Sequence, residues 1–584
     1  MRLFLRAGAL GVAGLALAAG TLTLPAAAAE PDPPGLTTAE KLVMAEDPSV
    51  RATDDGRLYI VDEWQPPTGA AAGSTAEAAV SAGVAEALTE TASIDTFALH
   101  SRPGALRTIH LDFDGGSLLG LNLWVLGLSL NGLVFGGWSI DTSTGTFSDA
   151  EQAIIRETWA RVSEDFSAWD VDVTTAEPLL GALWRASTND PSYGMRVAFT
   201  NDGKLQSQLC GGGCGGIAYI DTFDDVTSGE RGGPAWVFPS SLSQKAKNMA
   251  DAAAHEVGHT LGLLHDGTAS SAYYGGNTLW GPIMGSPYGA ALTQWSKGDY
   301  PGATNKEDDL ALIGSGGLPL RVDEAGSTPA TAAALTTLPD GAGVISGPAD
   351  SDWYALTECS GALTASVSPA AVGPDLDVAL ELRDASGGVI ASNAPATIRA
   401  SATGPISGLG ASLSVPLSGG PYYLAVSGAG SGSGGVSGWA SGGYDRYGSI
   451  GTYRLLMSGC AGGSGVPVPP PTEVPFDPSG DPDPVPVPPL TSLPGRPRTP
   501  ALTNGARGGR ITIGARWSTP PTGGGTITGY VLKVFRLDAR GRVVSRTRTA
   551  VLPGTVTAAD VVLPRKGRWA VRVQARNDLG WGSF

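Results

Sequence analysis

Residues 255–265 read His-Glu-Val-Gly-His-Thr-Leu-Gly-Leu-Leu-His. Residues four apart lie on the same face of an α-helix, so His255 and His259 can present their imidazoles to one metal ion. Gly262 can adopt the left-handed conformation that ends a helix, and the turn that follows can bring His265 to the same ion. Three imidazoles with one open position are typical of a catalytic zinc site. The stretch therefore predicts a helix that ends at a zinc centre.

Glu256 follows the first histidine and supplies a carboxylate of the kind that hydrolysis needs. Zinc held by neutral imidazoles lowers the pKa of a bound water toward roughly 7 and polarises a carbonyl group. A carboxylate beside the ion can take the proton of that water and return it to the leaving amine. The sequence thus predicts a zinc metalloendopeptidase with one catalytic Zn²⁺ and Glu256 as the general base.

Other interpretations of the zinc stretch stay open. The shorter pattern His-Glu-x-x-His also arises by chance on ordinary helices, but this chain has only five histidines, and three of them fall on the extended spacing. A structural zinc would be closed by a fourth protein ligand, and Glu256 would then have no task. The alternatives are a non-catalytic surface-binding protein with a structural or vestigial zinc site, and a zinc hydrolase that acts on a non-protein substrate.

The zinc stretch resembles that of the metzincin metallopeptidases, and the His-Asp pair at 265–266 is similar to the ending found in their reprolysin branch. The resemblance implies that Met284, in Ile-Met-Gly at 283–285, forms a methionine turn beneath the metal without binding it. Residues 111–115 and 280–313 resemble a group of secreted bacterial reprolysin-like proteases. A metzincin-like catalytic domain is therefore expected.

Two features near the zinc stretch are candidates for contact with substrate. In astacins and serralysins a tyrosine two residues after the turn methionine helps the reaction, and this chain has Ser286 there. Tyr288 is the candidate transition-state stabiliser, with a packing role as the equal alternative. Proteases commonly bind extended peptides along a sheet edge. Ala235–Phe238 could be that edge strand, and ordinary sheet membership is the alternative.

The N-terminal residues predict export. Arg2 and Arg6 precede a largely apolar segment at 7–24, and Ala26–Ala29 offers small residues for cleavage. This pattern is typical of a secretory signal over residues 1–29, with a membrane anchor as the alternative. No later segment is long and apolar enough to span a bilayer. We therefore expect a secreted, extracellular protein.

The four cysteines fit an oxidising compartment. Cys210 and Cys214 are expected to form a disulfide, with metal binding as the alternative. Cys359 and Cys460 are the second expected pair, by elimination. Since no cysteine precedes Cys210, a pro-segment thiolate that silences zinc, as in matrix-type metzincins, is excluded. An aspartate or steric blocking stays open as a source of latency.

The 584 residues are expected to form several domains, since one domain takes roughly 150 residues. Helical periodicity alternates with strands up to about residue 315, and short alternating strands follow. The predicted fold is a multidomain chain with an α/β (α+β) metzincin-like catalytic domain followed by two all-β sandwich modules. Its expected parts are a signal peptide (1–29), a pro-segment or disordered spacer (30–99), the zinc metallopeptidase domain (100–315), a first sandwich (316–462), a Pro-rich linker (463–499) and a second sandwich with a shortened closing strand (500–584).

Three helices are expected in the zinc domain. A capping box of Ser148 and Glu151 predicts the start of the first helix. A second is expected over residues 243–261, where the zinc stretch lies. A third is expected to start at a capping box of Thr304 and Glu307.

The appended modules carry two further resemblances. Residues 344–455, with Asp-Trp-Tyr at 352–354, are similar to the bacterial pre-peptidase C-terminal domain. Residues 501–584, with Trp517 and Ile-Thr-Gly-Tyr at 527–530, resemble fibronectin type III. Two acidic pairs in the first module could bind Ca²⁺, and turn caps or solvated loops are the alternative. These pairs are Asp350 with Asp352 and Asp375 with Asp377.

Charge is distributed unevenly along the chain. Residues 501–584 hold 14 Lys and Arg against 3 Asp and Glu, whereas the whole chain carries a net charge of −17. We expect the basic module to tether the enzyme to an anionic surface such as cell-wall polymer, with a solvated Arg-rich face as the equal alternative. The other expected partners are protein or peptide substrates. No nucleic-acid partner and no membrane span are expected.

Overall fold

The computed structural model describes residues 41–63, 95–118, 134–141, 147–178, 181–226, 232–335, 338, 341–357, 359–401, 404–459 and 497–581, with short gaps inside the first and last of these ranges. The expected signal peptide, nearly all of the Pro-rich linker and Cys460 lie outside the described residues. The described residues up to 459, apart from a loop at 178–183, belong to one compact unit, and residues 497–581 belong to a second. The two units are described separately below.

A mixed sheet forms the centre of the zinc domain. The strands up to residue 294 are β1 (Val50–Ala52), β2 (Leu58–Glu63), β3 (Arg107–Asp112), β4 (Gly115–Ser117), β5 (Val134–Gly136), β6 (Val171–Thr174), β7 (Tyr193–Phe199), β8 (Cys214–Tyr219), β9 (Ala235–Val237), β10 (Trp280–Pro282) and β11 (Leu292–Gln294). Seven of them form one sheet in the order β1-β2-β8-β9-β7-β3-β6. β3, β6, β7 and β9 are parallel, whereas β8 runs antiparallel to β9.

The helices of this domain are α1 (Asp149–Asp165), α2 (Gly203–Cys210), α3 (Ala246–Thr260) and α4 (Asp309–Ser315). The predicted capping box starts α1, because Ser148 and Glu151 exchange side-chain and backbone hydrogen bonds. α3 carries the zinc stretch and packs against α1, β7, β8 and β9. Among the described helices, none is long and apolar enough to cross a membrane.

The start predicted for the third helix is wrong. α4 begins at Asp309, and Asp308 caps it by accepting a hydrogen bond from Ala311 N at 3.1 Å. The Glu307 carboxylate accepts instead from Leu264 N at 2.9 Å, so it does not reach back to close a capping box. The glutamate thus holds the loop between the second and third histidines of the zinc stretch.

Of the two interpretations of Ala235–Phe238, an edge strand that binds substrate is wrong. β9 lies inside the sheet between β7 and β8, which is ordinary sheet membership. β8 is the outer strand of the catalytic domain proper, and β2 of the expected pro-segment pairs antiparallel with it. The candidate substrate-binding edge is therefore β8.

A β-sandwich follows in the same compact unit. Its strands are β12 (Ala333–Ala334), β13 (Ala342–Ile345), β14 (Ser351–Leu356), β15 (Ser360–Pro369), β16 (Val378–Arg383), β17 (Val389–Asn393), β18 (Ile398–Arg399), β19 (Ile406–Ser407), β20 (Ala411–Ser418), β21 (Tyr422–Gly428) and β22 (Gly451–Ser458). One sheet has the order β12-β14-β21-β16-β17 and the other β13-β22-β15-β20. Alternating apolar side chains from both sheets form one buried core.

The second unit contains a smaller pair of sheets around a core that includes Trp517 and Tyr530. Its strands are β23 (Ala501–Asn504), β24 (Thr512–Arg516), β25 (Gly529–Leu537), β26 (Val543–Arg548), β27 (Leu552–Pro553), β28 (Ala558–Val562), β29 (Arg568–Asn577) and β30 (Gly580–Trp581). One sheet has the order β23-β24-β28, and the other is built on β26-β25-β29-β30. A unit that combines helices with a mixed sheet, followed by strand-rich sheets, agrees with the expected multidomain class.

Candidate metal centre

Helix α3 presents the first two histidines of the zinc stretch from a buried face. The ring centroids of His255 and His259 lie 4.6 Å apart. The helix ends at Thr260, and Gly262 has a φ of 97°, a conformation that residues with a side chain rarely adopt. The reversal brings the His265 ring to 5.3 Å from His255 and 4.9 Å from His259. The structure thus brings the three predicted ligands together.

Each of these imidazoles is held through its Nδ1 atom. The pairs are His255 with Ile283 O (2.7 Å), His259 with Leu263 O (2.8 Å) and His265 with Asp47 Oδ2 (2.6 Å). A proton on Nδ1 that is donated to these oxygens leaves the Nε2 lone pairs of His255 and His259 free. His265 Nε2 donates to Asp62 Oδ1 at 2.8 Å, and it would give up this proton on binding a metal. Metal-bound histidines are oriented in this way by carbonyl or carboxylate partners.

The Nε2 side of the cluster contains buried atoms that lack partners. The Nε2 atoms of His255 and His259 have no hydrogen-bond partner, and neither has Oδ2 of Asp62, which lies 3.5 Å and 3.4 Å from them. The ligand atoms of these three residues and His265 all lie within 4.8 Å of one another. Buried polar atoms without partners are rare, and one cation would satisfy all of these atoms. Imidazole nitrogen and carboxylate oxygen are ligands that suit Zn²⁺, so the residues fit a zinc ion.

Asp62 is the member of this cluster that no sequence motif marked. It lies on β2, and its Oδ1 is 2.8 Å from His265 Nε2. The Tyr273 hydroxyl donates to the same oxygen at 3.0 Å. The lack of an early cysteine leaves an aspartate open as a source of latency, but no sequence pattern selects this one. The expectation of an open fourth position is therefore wrong for this form of the chain.

Met284 lies beneath the centre, where the resemblance implied a methionine turn. It is fully buried, and a side chain added at Gly258 would begin 2.5 Å from its Sδ atom. Its carbonyl oxygen accepts a hydrogen bond from Asp266 N at 2.8 Å. The turn therefore supports the centre in two ways, by packing under α3 and by fixing the residue next to His265.

Glu256 is buried beside the histidines, and its Oε2 has no hydrogen-bond partner. Gly216 on β8 makes room for it, since a Cβ at that position would collide with the Glu256 carboxyl group. Burial and the neighbouring charge of Asp62 raise the pKa of Glu256 well above its ordinary value. A carboxylate with a raised pKa is a stronger base and is better suited to accept a proton in catalysis.

The electrostatics of the centre favour positive charge at its middle. Burial by itself would raise the pKa of Asp62, but the three imidazoles hold it well below its usual range. Burial lowers the pKa of His259 to about 4, which keeps this imidazole neutral as a metal ligand must be. Burial also opposes protonation of His265, yet Asp62 and Asp47 raise its pKa to about 9. An ionised carboxylate thus faces the imidazoles.

Two tyrosines lie near the centre. Tyr288, the candidate transition-state stabiliser, is half-buried against the core of the zinc domain. Burial, and then the charges of acidic groups that include Glu256, raise its pKa well above the ordinary value, so its hydroxyl stays protonated. Tyr273 was not singled out from the sequence, although its ring centroid lies 4.1 Å from that of His265. Tyr273 therefore contacts the centre directly, in addition to its bond to Asp62.

The three cysteines that the structure describes are not part of the metal centre. Cys210 and Cys214 form a disulfide that closes the turn between α2 and β8, so their alternative role as metal ligands is excluded here. Cys359 is also disulfide-bonded. Its expected partner, Cys460, lies outside the described residues.

The two acidic pairs of the first sandwich differ from each other. The carboxylate oxygens of Asp350 and Asp352 lie within 4.8 Å of each other and of Asp323, which the sequence analysis did not include. Asp377 instead accepts hydrogen bonds from two hydroxyl groups at 2.7 and 2.9 Å. Asp375 lies against acidic side chains of the zinc domain. Calcium binding at these pairs stays a prediction.

Residues 152–266 match the profile of a family described as metallo-peptidase family M12B, reprolysin-like. No curated protein sequence matches the chain. The matched stretch runs from α1 through α3 to Asp266, and it includes all three histidines and Glu256. Together with the cluster of histidines and Asp62, the match supports a metallopeptidase domain with a metal ion, for which zinc suits the ligands best. Over these residues the chain is similar to the reprolysin-like metallopeptidases.

Proposed function

We propose that the chain is a secreted zinc-dependent endopeptidase in which His255, His259 and His265 hold the ion and Glu256 is the general base. One observation carries the proposal: three buried imidazoles, each with Nδ1 engaged, direct Nε2 atoms toward one point beside a buried glutamate. The match to a reprolysin-like metallopeptidase family over residues 152–266 supports the same class. Protein or peptide chains are the proposed substrates.

The chain's own groups account for most of the proposed chemistry. A bound zinc ion supplies a Lewis acid that polarises a carbonyl and acidifies water. Glu256 takes the proton from the attacking water and delivers it to the nitrogen of the leaving amine. Strand β8 offers main-chain donors and acceptors along which an extended substrate can lie. The protonated hydroxyls of Tyr288 and Tyr273 are candidates to donate to the developing oxyanion.

A structural zinc site is the second candidate, and a specific observation favours it. Asp62 gives the cluster a fourth protein ligand, and four protein ligands are typical of structural zinc sites. Such a site would suit a surface-binding protein without catalysis. The Glu256 carboxyl group weighs against it, because its buried Oε2 has no hydrogen-bond partner, which is costly where the group serves no reaction.

The test compares hydrolysis of an unstructured protein by the wild type and by a Glu256→Gln variant, each after the segment before residue 100 has been cut away. We expect the variant to lose about 10²- to 10⁴-fold in rate, the usual contribution of general acid–base catalysis, while it keeps its zinc. Glu157→Gln is the matched control, because Glu157 lies on α1 and pairs with Arg161 at the surface. Zinc-loaded wild type without activity would favour the structural site or a non-protein substrate.

Export and surface attachment are further parts of the proposal. The pattern of residues 1–29 supports secretion, and the resemblances suggest a bacterial source. The excess of basic residues in 501–584 supports binding to an anionic cell-wall polymer. Deletion of residues 501–584 should abolish sedimentation of the enzyme with cell walls at low salt. Unchanged sedimentation would refute the tether.

A further inference from the structure

Strand β2 lies where an extended substrate of the proposed peptidase would lie. It pairs antiparallel with β8 from Tyr59 opposite Tyr219 to Asp62 opposite Gly216. The main-chain groups along this edge of β8 are therefore occupied by the chain's own N-terminal region. An added strand of this kind is the usual way in which a sheet edge binds a peptide.

The register places Asp62 at the reactive position. Gly216, its partner on β8, is the residue that lies directly against Glu256. Asp62 therefore stands between the general base and the three imidazoles. A water molecule that Glu256 would deprotonate beside a bound ion would have to occupy this same place. The carboxylate and the attacking water exclude each other.

Neighbouring contacts hold Asp62 and its strand in place. Tyr273 donates to Asp62 Oδ1, and Asp47 accepts from the opposite side of the His265 ring at 2.6 Å. Ser49 donates to the same Asp47 carboxylate. Ile60 is fully buried in a small apolar cluster. These contacts come from residues 47–62, so they would be lost together if this segment left.

We propose that Asp62 is an inhibitory ligand that closes the metal centre in the uncut chain and keeps the enzyme latent. The inference rests on the proposed function, because latency has meaning only for an active enzyme. Since a carboxylate supplies the fourth ligand, no early cysteine is needed. A cut between Glu63 and the start of β3 at Arg107 separates β2 from the catalytic domain and allows it to leave.

The first test measures activity of the uncut chain. If the latch keeps about 99% of molecules closed, freeing the centre should raise the rate about 100-fold. We expect processed wild type to cleave a fluorogenic peptide faster than uncut wild type by at least that factor. Uncut Asp62→Ala and Asp62→Asn should be faster than uncut wild type but slower than the processed enzyme, because β2 still occupies β8. Glu63→Ala is the matched control, because Glu63 is the exposed neighbour on the same strand. Intact mass before and after the assay shows that no variant has been cut.

The second test does not depend on activity. In the Glu256→Gln background, which prevents self-cleavage, the uncut chain is loaded with Co²⁺ in place of zinc. Loss of a carboxylate ligand should shift the visible absorption of the ion in Asp62→Ala, whereas Glu63→Ala should give the unaltered spectrum. Asp62→Ala should also release the metal to a chelator faster.

The outcomes separate the latch from the peptidase proposal. Equal rates for uncut and processed wild type, with an unaltered cobalt spectrum in Asp62→Ala, would overturn the latch and leave the peptidase intact. A shifted spectrum with no activity in any processed protein would overturn the peptidase and make Asp62 a structural ligand. A shifted spectrum with activation of uncut Asp62→Ala supports the latch.

Discussion

Buried carboxyl groups occur in two regions of this chain, and their surroundings differ. At the metal centre, Asp62 faces three imidazoles. Where α1 meets the first sandwich, Glu164 accepts hydrogen bonds from Thr452 N at 2.9 Å and Thr452 Oγ1 at 2.6 Å. Asp375 of the sandwich lies against Asp165 next to this glutamate. Both regions are buried, but the cations near the second region, Arg161 and Lys247, pair with Glu157 and Asp251 rather than with Glu164 or Asp375.

The pKa values follow this difference. The imidazoles hold the pKa of Asp62 well below its usual range despite burial. Burial raises the pKa of Glu164 to about 7, and the bonds from Thr452 oppose this only in part. Burial and the charge of Asp165 raise the pKa of Asp375 well above its ordinary value. Burial alone thus does not decide ionisation; the charges that face the group do.

Removal of one imidazole should have the largest effect and is the strongest test of the difference between the two regions. His265→Ala should lose zinc affinity by more than the roughly 10- to 100-fold that loss of an outer hydrogen-bond partner costs. Asp62 and Asp47 would then both lose the ring that they contact. Zinc per chain after dialysis against a weak chelator measures the effect. His100→Ala is the control, since His100 is partly exposed and pairs with Asp172. Full zinc retention in His265→Ala would contradict the assignment.

A pH titration tests the second region. Because the pKa of Glu164 is raised from 4.5 to about 7, the folded chain binds this proton more tightly than the unfolded chain. The contribution of Glu164 to the free energy of unfolding is full below about pH 4.5 and is lost as pH rises through about 7. This contribution to the free energy of unfolding is at most about 3 kcal/mol. Urea unfolding of wild type and Glu164→Gln at pH 5 and pH 8 measures it. The variant should not show this loss of stability between pH 5 and pH 8. If the free energy of unfolding changed with pH by the same amount in both proteins, protonation of Glu164 would not be its cause.

The metal centre was more predictable than the contact between domains, for a physical reason. The histidines lie within eleven residues, so helix geometry and one glycine turn were enough to place them together. Met284 could be placed through a family resemblance. Asp62 could not, because it reaches the centre through pairing of β2 with β8 across about 150 residues. Local periodicity does not encode such pairing.

The contact between α1 and the first sandwich gave no sequence signal. Asp375 faces Asp165 of α1, and its expected role in a calcium pair stays a prediction. The capping box predicted for Glu307 is wrong, because Glu307 accepts from Leu264 N instead. In both cases the carboxyl group meets a group from a distant segment, and a local sequence pattern does not indicate such a contact.

Crowding around Glu256 offers a finer test of the first region. Gly216→Ala should displace the Glu256 carboxyl group, because the added Cβ collides with it. A misplacement of about 1 Å can cost about 100-fold in rate, and we expect a loss of this order in the processed enzyme with zinc retained. Gly215→Ala is the matched control, since its Cβ would lie 3.1 Å from the flexible end of Leu242 and at an ordinary contact distance of 3.9 Å from the Asp62 carbonyl oxygen. Equal rates for the two variants would show that Glu256 tolerates the displacement or is not the base.

The same substitution in the two regions should have opposite effects on stability. Asp375→Asn replaces a charge that faces Asp165 by an amide, whose NH₂ group can donate to the Asp165 carboxylate. We expect a gain of about 1 kcal/mol in the free energy of unfolding at pH 8, and a smaller gain at lower pH, where the raised pKa of Asp375 leaves less of this charge to remove. Asp62→Asn removes a charge that the imidazoles stabilise and should lower the stability of the uncut chain at pH 8. Thermal unfolding of the wild type and both variants at pH 5 and pH 8 shows whether each substitution raises or lowers stability. If Asp375→Asn destabilised the chain at pH 8, an unrecognised cation would have to neutralise that cluster, and the contrast between the regions would disappear.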